Sequence, residues 1–282
     1  MADASPNLEV SGAEGSGIRL SGLYVYPIKS CGGIAVEEWE VDERGLRHDR
    51  RWILVDETGR FMSQRQLPRM AQIGVRFAPD GLIVDAPGMP SLEVPFRPPD
   101  GELRLAQVWD DLVEVSPLGG EADRWFGEFL GVRCKLVYLP DRSPRPVDPD
   151  YGRVGDQVSL ADAFPFLLVS EASLAELNTR LEQTMPMNRF RPNLVLGGCE
   201  PFAEDNWKMV RIGPITLRVV KPCARCAIIT VDQRTATKTK EPLRTLATFR
   251  REGNKVLFGQ NLVHDGRGVL RAGNPIEVLQ GR

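Results

Sequence analysis

The stretch "KPCARCAIITVDQ", residues 221–233, places two cysteines three positions apart and follows the second with an apolar, partly β-branched run. β-Branched residues favour strands. We therefore predict a strand over "AIITVD", residues 227–232, with the thiol of Cys226 held at its start. Several interpretations of Cys223 and Cys226 are open at this point: a metal clip, a redox pair, a disulfide, two core residues, or a single thiolate that is the reactive group of an enzyme.

The rest of the sequence argues against two of these interpretations. A structural zinc site needs four ligands, but the chain has no second C-x-x-C and only two histidines, His48 and His264. A thioredoxin-type pair needs its first cysteine at a helix N-terminus, whereas a strand is predicted here. One remaining interpretation is that both cysteines are buried core residues, since free cysteine is often buried. The other is a single thiolate whose charged form is favoured by Lys221 and Arg225.

The composition is that of a globular protein with its own hydrophobic core. Of the 282 residues, 42% are hydrophobic and 26% charged, and the net charge of −2 indicates neither a nucleic-acid binder nor a membrane-surface binder. No apolar run approaches the ~18 residues of a membrane-spanning helix. The five cysteines are odd in number and scattered, unlike those of a secreted disulfide scaffold. We therefore expect a cytoplasmic protein.

Short strands bounded by Gly, Pro or Asp dominate the chain, a pattern typical of barrels and sandwiches. The strands are predicted, besides 227–232, over residues 18–28, 34–42, 50–63 (a hairpin with the turn D-E-T-G), 81–86, 91–96, 110–117, 134–139, 193–198, 207–212, 215–220 and 275–280.

Three helices are predicted among these strands. The first covers about 121–130 and ends at Gly131. The second covers 170–183 and starts with a capping box made by Ser173 and Glu176. The third covers 241–251, with Pro242 in its first turn. The predicted fold class is mainly β, of the α+β type.

A proline-rich segment divides the chain. Residues 140–157, "PDRSPRPVDPDYGRVGDQ", contain four prolines and many charges, which is typical of a crossing segment. We predict a disordered tail over residues 1–17, one domain over 18–140 and a second over 141–282.

Three other motifs carry groups that could hold an anion. "YPIKSCGG" places Lys29 and Ser30 just after a strand, "RHDRRW" places Arg50 before one, and "NRFRPNLVLGG" places Arg191 before a proline. Arginine suits the bidentate recognition of phosphate. Each of these residues taken singly is more often a solvated surface charge, so the hypothesis rests on their convergence.

Taken in order, several motifs resemble the MOSC-domain family, and within it the branch of the mitochondrial amidoxime-reducing component and its bacterial relatives. They extend over residues 18–280, and they are "YPIKSCGG", "GLRHDRRWILVD", "RQLPRMAQI", "LLVSEASLAELN", "NRFRPNLVLGG", "AEDNW", "PCARCAIITVD" and "FGQN". The ordered set is specific, whereas any one motif alone is weak.

The resemblance implies an N-terminal β-barrel-like domain, a C-terminal MOSC β-barrel and a molybdenum cofactor (molybdopterin with molybdenum) between them. It implies that Cys226 is the metal ligand and a catalytic residue, and that Asp232 is a catalytic residue that delivers protons. The cofactor-binding residues that it implies are Lys29, Ser30, Arg50, Arg191 and Arg225. Cys223 receives no role.

Some positions depart from the family pattern. Ala163 and Phe164 stand where relatives often carry small hydroxyl residues, and Ala224 stands where serine is common. Gln233 stands where proline often follows the aspartate. We expect fewer hydrogen bonds to the pterin in consequence.

The activity implied by the resemblance is the reduction of small N-hydroxylated substrates, namely amidoximes, N-hydroxylated bases and hydroxamic acids. The chain has no dinucleotide fingerprint and no iron–sulfur cysteine spacing. A separate electron donor is therefore predicted: a ferredoxin-like protein, a flavin reductase or a cytochrome b5-like protein. Two alternatives remain, a sulfur- or molybdenum-cofactor carrier that uses Cys226 without N-reduction, and a scaffold with an unused pocket. A protein that only carries sulfur would not need the basic residues Lys29, Arg50 and Arg191, which could hold a phosphate.

Overall fold

The computed structural model describes residues 17–97 and 101–282, so the predicted disordered tail lies outside the described residues except for Gly17. The described part contains nineteen strands. In chain order they are β1 (Arg19–Val25), β2 (Ile34–Ala35), β3 (Glu38–Asp42), β4 (Gly45–Leu46), β5 (Trp52–Val55), β6 (Gly74–Ala78), β7 (Gly81–Asp85), β8 (Leu92–Pro95), β9 (Arg104–Val108), β10 (Asp111–Pro117), β11 (Lys135–Tyr138), β12 (Phe166–Ser170), β13 (Leu194–Gly197), β14 (Trp207–Ile212), β15 (Ile215–Ala224), β16 (Arg251–Glu252), β17 (Lys255–His264), β18 (Gly268–Arg271) and β19 (Ile276–Gly281).

Helices are few and short in these residues. The α-helices are α1 (Gly120–Leu130), α2 (Glu171–Asn178) and α3 (Leu243–Phe249). Single 3₁₀ turns cover Pro68–Gln72, Met187–Arg189, Ala203–Asn206 and Ala227–Thr230. None of these helices is long and apolar enough to cross a membrane. The predicted mainly β class is confirmed.

The strands form one large sheet and three small ones. The large sheet has the order β19-β14-β15-β17-β12-β13-β1-β2, with β16 paired to β17. Its strands pair antiparallel except for β12 and β13. The small sheets have the orders β5-β11-β10-β9, β18-β3-β4 and β6-β7-β8.

The two halves of the sequence share sheets. Strand β1 pairs with β13, and β3 pairs with β18, so both of these sheets contain strands from before and after residue 140. A cavity at the end of β1 can therefore draw side chains from both halves. The domain boundary after residue 140 stays a prediction.

Helix α1 packs its apolar face into the core of the N-terminal half, as its sequence predicts. Ala122, Trp125, Phe126 and Phe129 are buried together with Trp52. Gly131 ends the helix in a left-handed conformation with φ of 70°, which glycine adopts without the steric cost of a side chain.

The strand predicted over residues 227–232 is wrong. Strand β15 instead includes Cys223 and ends at Ala224, before Cys226, and Ala227–Thr230 form a 3₁₀ helix. The hydroxyl of Thr230 donates to the carbonyl of Ala227 at 2.7 Å. Ile229 thereby enters a buried cluster with Leu246 and Phe258. Tertiary packing has overridden the local preference of the β-branched residues.

The predicted start and end of α2 also need correction. The cap is Ser170, whose hydroxyl accepts the backbone N–H of Ser173 at 3.0 Å, because the chain passes directly from β12 into the helix. The helix ends at Asn178, whose side chain binds both the N–H and the carbonyl of Met185. In α3, Pro242 is the cap residue rather than part of the first turn.

Several strands escaped sequence analysis, among them β6, β9, β12, β17 and β18. Strand β17, "KVLFGQNLVH", is buried along most of both faces. It therefore lacks the alternation of polar and apolar residues that marks a half-exposed strand.

Candidate functional site

One cavity gathers side chains that lie far apart in the sequence. Its lining includes all the predicted site residues except Asp232, namely Lys29, Ser30, Arg50, Arg191, Arg225 and Cys226. Cys223 lines it as well. The convergence on which the anion hypothesis rested is therefore present in the structure.

The two cysteines lie where β15 gives way to the 3₁₀ helix. Cys226 has an extended backbone and directly precedes the helix. Both cysteines are half-buried and neither is in a disulfide. Burial raises the pKa of the Cys223 thiol, although the Arg225 guanidinium opposes this. Lys221 points elsewhere, since its Nζ lies 4.1 Å from the centroid of the Tyr151 ring. Of the two cationic neighbours predicted from the sequence, only Arg225 lines the cavity.

Two of the three guanidinium nitrogens of Arg225 donate hydrogen bonds to the protein, and the third has no partner. Its Nε donates to the carbonyl of Phe258 at 2.8 Å and its Nη1 to that of Phe190 at 2.9 Å. Its Nη2 is buried without a hydrogen-bond partner. A Cβ at Gly259 would lie 2.6 Å from the carbonyl oxygen of Leu168 and 3.3 Å from this Nη2. Glycine is thus required beside the arginine.

Arg50 and Arg191 share the Tyr26 ring but differ in their partners. Their guanidinium carbons lie 4.3 and 4.4 Å from its centroid. Arg50 pairs with Asp49 at 2.6 Å and donates to Asn193. Arg191 has only a long contact of 3.5 Å to Gln233 and no carboxylate partner among the described residues. Arg191 is therefore a cation free to bind an anionic ligand.

The backbone is strained at three of the lining residues. Ser30, Arg50 and Arg191 have φ angles of 68°, 47° and 54°. This left-handed region is uncommon for residues other than glycine. Such strain concentrates at ligand-binding sites, where the surrounding structure maintains it.

Lys29 is a buried amine that ionises near neutral pH. Its Nζ donates to the carbonyl of Leu160 at 2.9 Å and to Asp162 Oδ1 at 2.5 Å. Burial lowers the pKa of Lys29 to about 8, against the opposing effect of Asp162. Burial would raise the pKa of Asp162, but Lys29 outweighs it and the carboxyl titrates well below its usual range.

Asp232 acts on the cavity through another residue. Its Oδ2 accepts from Arg189 at 2.8 Å, and its Oδ1 accepts the backbone N–H groups of Arg234 and Thr235. These bonds, that of Thr235 first, lower the pKa of Asp232. Arg189 lines the cavity, so the ionised Asp232 orients a cation there. Its role in proton delivery stays a prediction.

Several residues at or next to this site were not predicted from the sequence. Arg189 precedes Arg191 by two positions in "NRFRP", which is a signal that could have been used. The expectation for Gln233 was only that it would contribute to fewer hydrogen bonds to the pterin. Instead it forms a reciprocal amide pair with the buried Gln64, at 3.1 and 3.0 Å. Gln64 also donates to the carbonyl of Ser30 at 2.7 Å, so the amide pair links the cysteine loop to the N-terminal half.

The charge of the lining is strongly unbalanced. Its cations are Lys29, Arg50, Arg189, Arg191 and Arg225, whereas Asp162 is its one carboxylate among the described residues. Lys29, Arg50 and Arg189 are paired with Asp162, Asp49 and Asp232. Arg191 and Arg225 have no carboxylate partner among the described residues, and a buried charge is costly unless an opposite charge pairs with it. These two arginines make the cavity suited to an anion.

Comparison with known proteins agrees with this geometry. Residues 17–133 match the MOSC N-terminal beta barrel domain and residues 155–277 match the MOSC domain. Mitochondrial amidoxime-reducing component 1 of Mus musculus is 37% identical over 276 residues, which are 91% of this chain and 81% of the mouse protein. The Homo sapiens protein of the same name is 35% identical over 91% of this chain and 82% of its own length.

A relative with a different name has the same level of sequence identity to this chain as the mouse protein. Molybdenum cofactor sulfurase of Danio rerio is 37% identical over 89% of this chain, which corresponds to 32% of the zebrafish protein. The MOSC match and these names together point to the molybdenum cofactor. With two domain matches in series and relatives similar along nine-tenths of its length, the chain belongs to the MOSC-domain family, in the branch that resembles the mitochondrial amidoxime-reducing components.

Proposed function

We propose that this protein is a molybdenum-cofactor-dependent reductase of N-hydroxylated compounds, such as amidoximes, N-hydroxylated bases and hydroxamic acids. The thiolate of Cys226 would be the protein's ligand to molybdenum. The observation that carries the proposal is the cavity itself, whose lining combines Cys226 with Arg191 and Arg225, two cations that have no carboxylate partner among the described residues.

The residues present fit this cofactor. Among the described residues no group of three or more His, Cys, Asp or Glu side chains could hold a metal ion. A metal at Cys226 must therefore bring most of its ligands with it, as a pterin dithiolene does. The phosphate of that group needs hydrogen-bond donors, which the unpartnered Nη2 of Arg225 and the guanidinium of Arg191 can supply.

Each lining residue then has a part in binding or positioning. Arg191 and Lys29 would bind the phosphate, and Ser30 and Arg225 would complete the donor set. Arg50 supports the strained backbone at Arg191 by donating to its carbonyl at 3.2 Å. The bound group would supply two electrons from the separate donor, and with two protons the N–O oxygen of the substrate would leave as water. Asp232 keeps Arg189 oriented at the cavity wall.

A carrier of sulfur or of molybdenum cofactor is the second candidate, because the zebrafish relative is named a molybdenum cofactor sulfurase. Elemental analysis and turnover separate the two. Protein made in cells with a complete cofactor pathway should contain about one molybdenum per chain and should reduce benzamidoxime. Zinc, or no metal, in a well-folded sample would contradict the reductase.

A cytoplasmic location stays a prediction from the sequence, and the mammalian relatives are named mitochondrial.

Turnover should require a separate electron donor. The chain carries neither a dinucleotide-binding fingerprint nor the cysteine spacing of an iron–sulfur cluster. We expect a chemical one-electron donor to support benzamidoxime reduction by the molybdenum-loaded protein. NADH or NADPH with this chain alone should give no turnover in a steady-state assay. Reduction driven by NADH in contaminant-free protein would show that the chain has an electron-entry site of its own.

Uptake of the cofactor by the cofactor-free protein should weaken as the pH rises through about 8. Lys29 has a pKa of about 8 because it is buried, so its ammonium is present below that pH and lost above it. A neutral amine cannot pair with a phosphate. The dissociation constant, measured from about pH 7 to about pH 9.5, should rise across this interval in the wild type. Lys29→Arg stays protonated throughout and should flatten the profile, so equal profiles would exclude Lys29 from the phosphate contact.

A further inference from the structure

The hairpin of β9 and β10 has an aromatic residue at its tip. Val108 pairs with Asp111, so Trp109 and Asp110 form a two-residue turn. Trp109 has φ of 58°. Such turn positions favour Gly, Asn or Asp, and a bulky side chain there is a conformational outlier. The turn geometry gives no reason for a tryptophan at this position.

Contacts of Trp109 lead to the cavity. Its Nε1 donates to Asp162 Oδ1 at 3.2 Å, and the same oxygen pairs with Lys29 at 2.5 Å. The guanidinium carbon of Arg65 lies 4.2 Å from the indole centroid, and the Phe61 ring centroid lies 5.2 Å away. Trp109 is nevertheless 42% exposed as a residue. It is thus an accessible ring held beside a wall of the cavity.

A buried arginine joins the hairpin to that same wall. The Nε of Arg145 donates to Asp111 Oδ2 at 3.0 Å, just beyond the turn. Its Nη1 donates to the carbonyls of Ser159 and Ala161, both at 2.6 Å, and its Nη2 to that of Asp162 at 3.2 Å. The turn and residues 159–162 therefore form one connected unit. The hydrogen bonds of Arg145 therefore hold the turn that carries Trp109 in a fixed position relative to the cavity.

We propose that Trp109 is a stacking surface for the aromatic part of an N-hydroxylated substrate whose N–OH group enters the cavity. The inference rests on the proposed function, since it names the substrate class of that same site. Backbone strain persists where surrounding contacts maintain it, as those of Asp162, Arg65 and Phe61 do here, and it concentrates at functional sites. Planar rings stack favourably on an indole. Aryl amidoximes and N-hydroxylated bases are then preferred over aliphatic N-hydroxylated compounds.

Binding of two small ligands tests the proposal without turnover. Calorimetry on the molybdenum-loaded protein, with no electron donor present, would compare benzamidoxime with acetamidoxime. Trp109→Gly removes the ring and suits the left-handed turn. Trp109→Asn, which tolerates the same conformation, is a second variant should the first fold poorly. Leu112→Ala is the matched control, because Leu112 is apolar, 69% exposed and on the same hairpin.

The expected result is selective. Both Trp109 variants should weaken benzamidoxime binding about threefold to tenfold and leave acetamidoxime binding unchanged, while Leu112→Ala changes neither. Melting temperatures should stay within about 3 °C of the wild type. Equal effects on both ligands, or none on benzamidoxime, would overturn the proposal. A wild type that binds benzamidoxime through Trp109 but reduces neither amidoxime would instead contradict the proposed function.

Discussion

Cys226→Ser should abolish molybdenum-dependent reduction, while Cys223→Ala should keep most of it. The ligating form of cysteine is the thiolate, whereas the serine hydroxyl stays protonated near neutral pH and is a much weaker ligand. Loss of residues that merely support metal ligands already costs about 10- to 100-fold. We therefore expect the turnover of Cys226→Ser to fall by more than about 100-fold, with the bound molybdenum measured in parallel.

Cys223→Ala is the matched control, because both cysteines line the same cavity. Burial raises the pKa of the Cys223 thiol, which opposes a thiolate there. The one Cys223 hydrogen bond among the described residues is a weak 4.0 Å contact from Sγ to the carbonyl of Ala224. If Cys223→Ala lost the metal and Cys226→Ala retained it, the assignment of the ligand would be reversed.

Arg191→Ala should release the cofactor on dialysis. The variant loses a bidentate, charge-assisted contact to a buried anion, worth roughly 1.5–3 kcal/mol. Retention of the cofactor should therefore fall on the order of tenfold or more. Arg191→Lys should restore only part of it, since an ammonium cannot form the planar fork. Molybdenum per chain before and after dialysis is the measurement.

A control for this variant comes from an arginine with a similar ring contact elsewhere. The guanidinium carbon of Arg180 lies 4.1 Å from the Phe249 centroid, and Arg180 pairs with Glu176 on the surface of α2. Arg180→Ala should leave retention unchanged. Arg191→Ala should also leave the unfolding free energy of the cofactor-free protein unchanged or higher, because it removes a positive charge that has no carboxylate partner among the described residues. Equal retention in all the variants would make Arg191 an ordinary surface charge.

Local features of the sequence were sufficient where neighbours along the chain decide the structure. Helix α1 could be predicted from its apolar spacing and from Gly131. The turn after β5 could be predicted from D-E-T-G, and Gly59 donates there to the carbonyl of Asp56. The residues of the cofactor motifs could be named because each motif is short and continuous. Their roles came from resemblance to a family, not from spacing.

Packing between distant segments decided the rest. Residues 227–230 became a 3₁₀ helix because Ile229 is drawn into the cluster beneath α3. Arg145 lies in a proline-rich segment that was predicted to be a crossing segment, yet it is buried and donates to the carbonyls of residues 159, 161 and 162, the last two of which line the cavity. Neither outcome has a signal in the neighbouring sequence.

The cavity depends most of all on long-range contacts. Lys29 and Cys226 are almost 200 positions apart, and they meet because β1 pairs with β13 within the sheet that also holds β15. Composition and motifs identified an anion-binding set and a soft ligand within one chain. Three features follow from the pairing and packing of segments that are remote in sequence. They are the convergence of these residues on one cavity, the contact between Asp232 and Arg189, and the position of Trp109. Propensities that act over a few residues carry no information about such contacts.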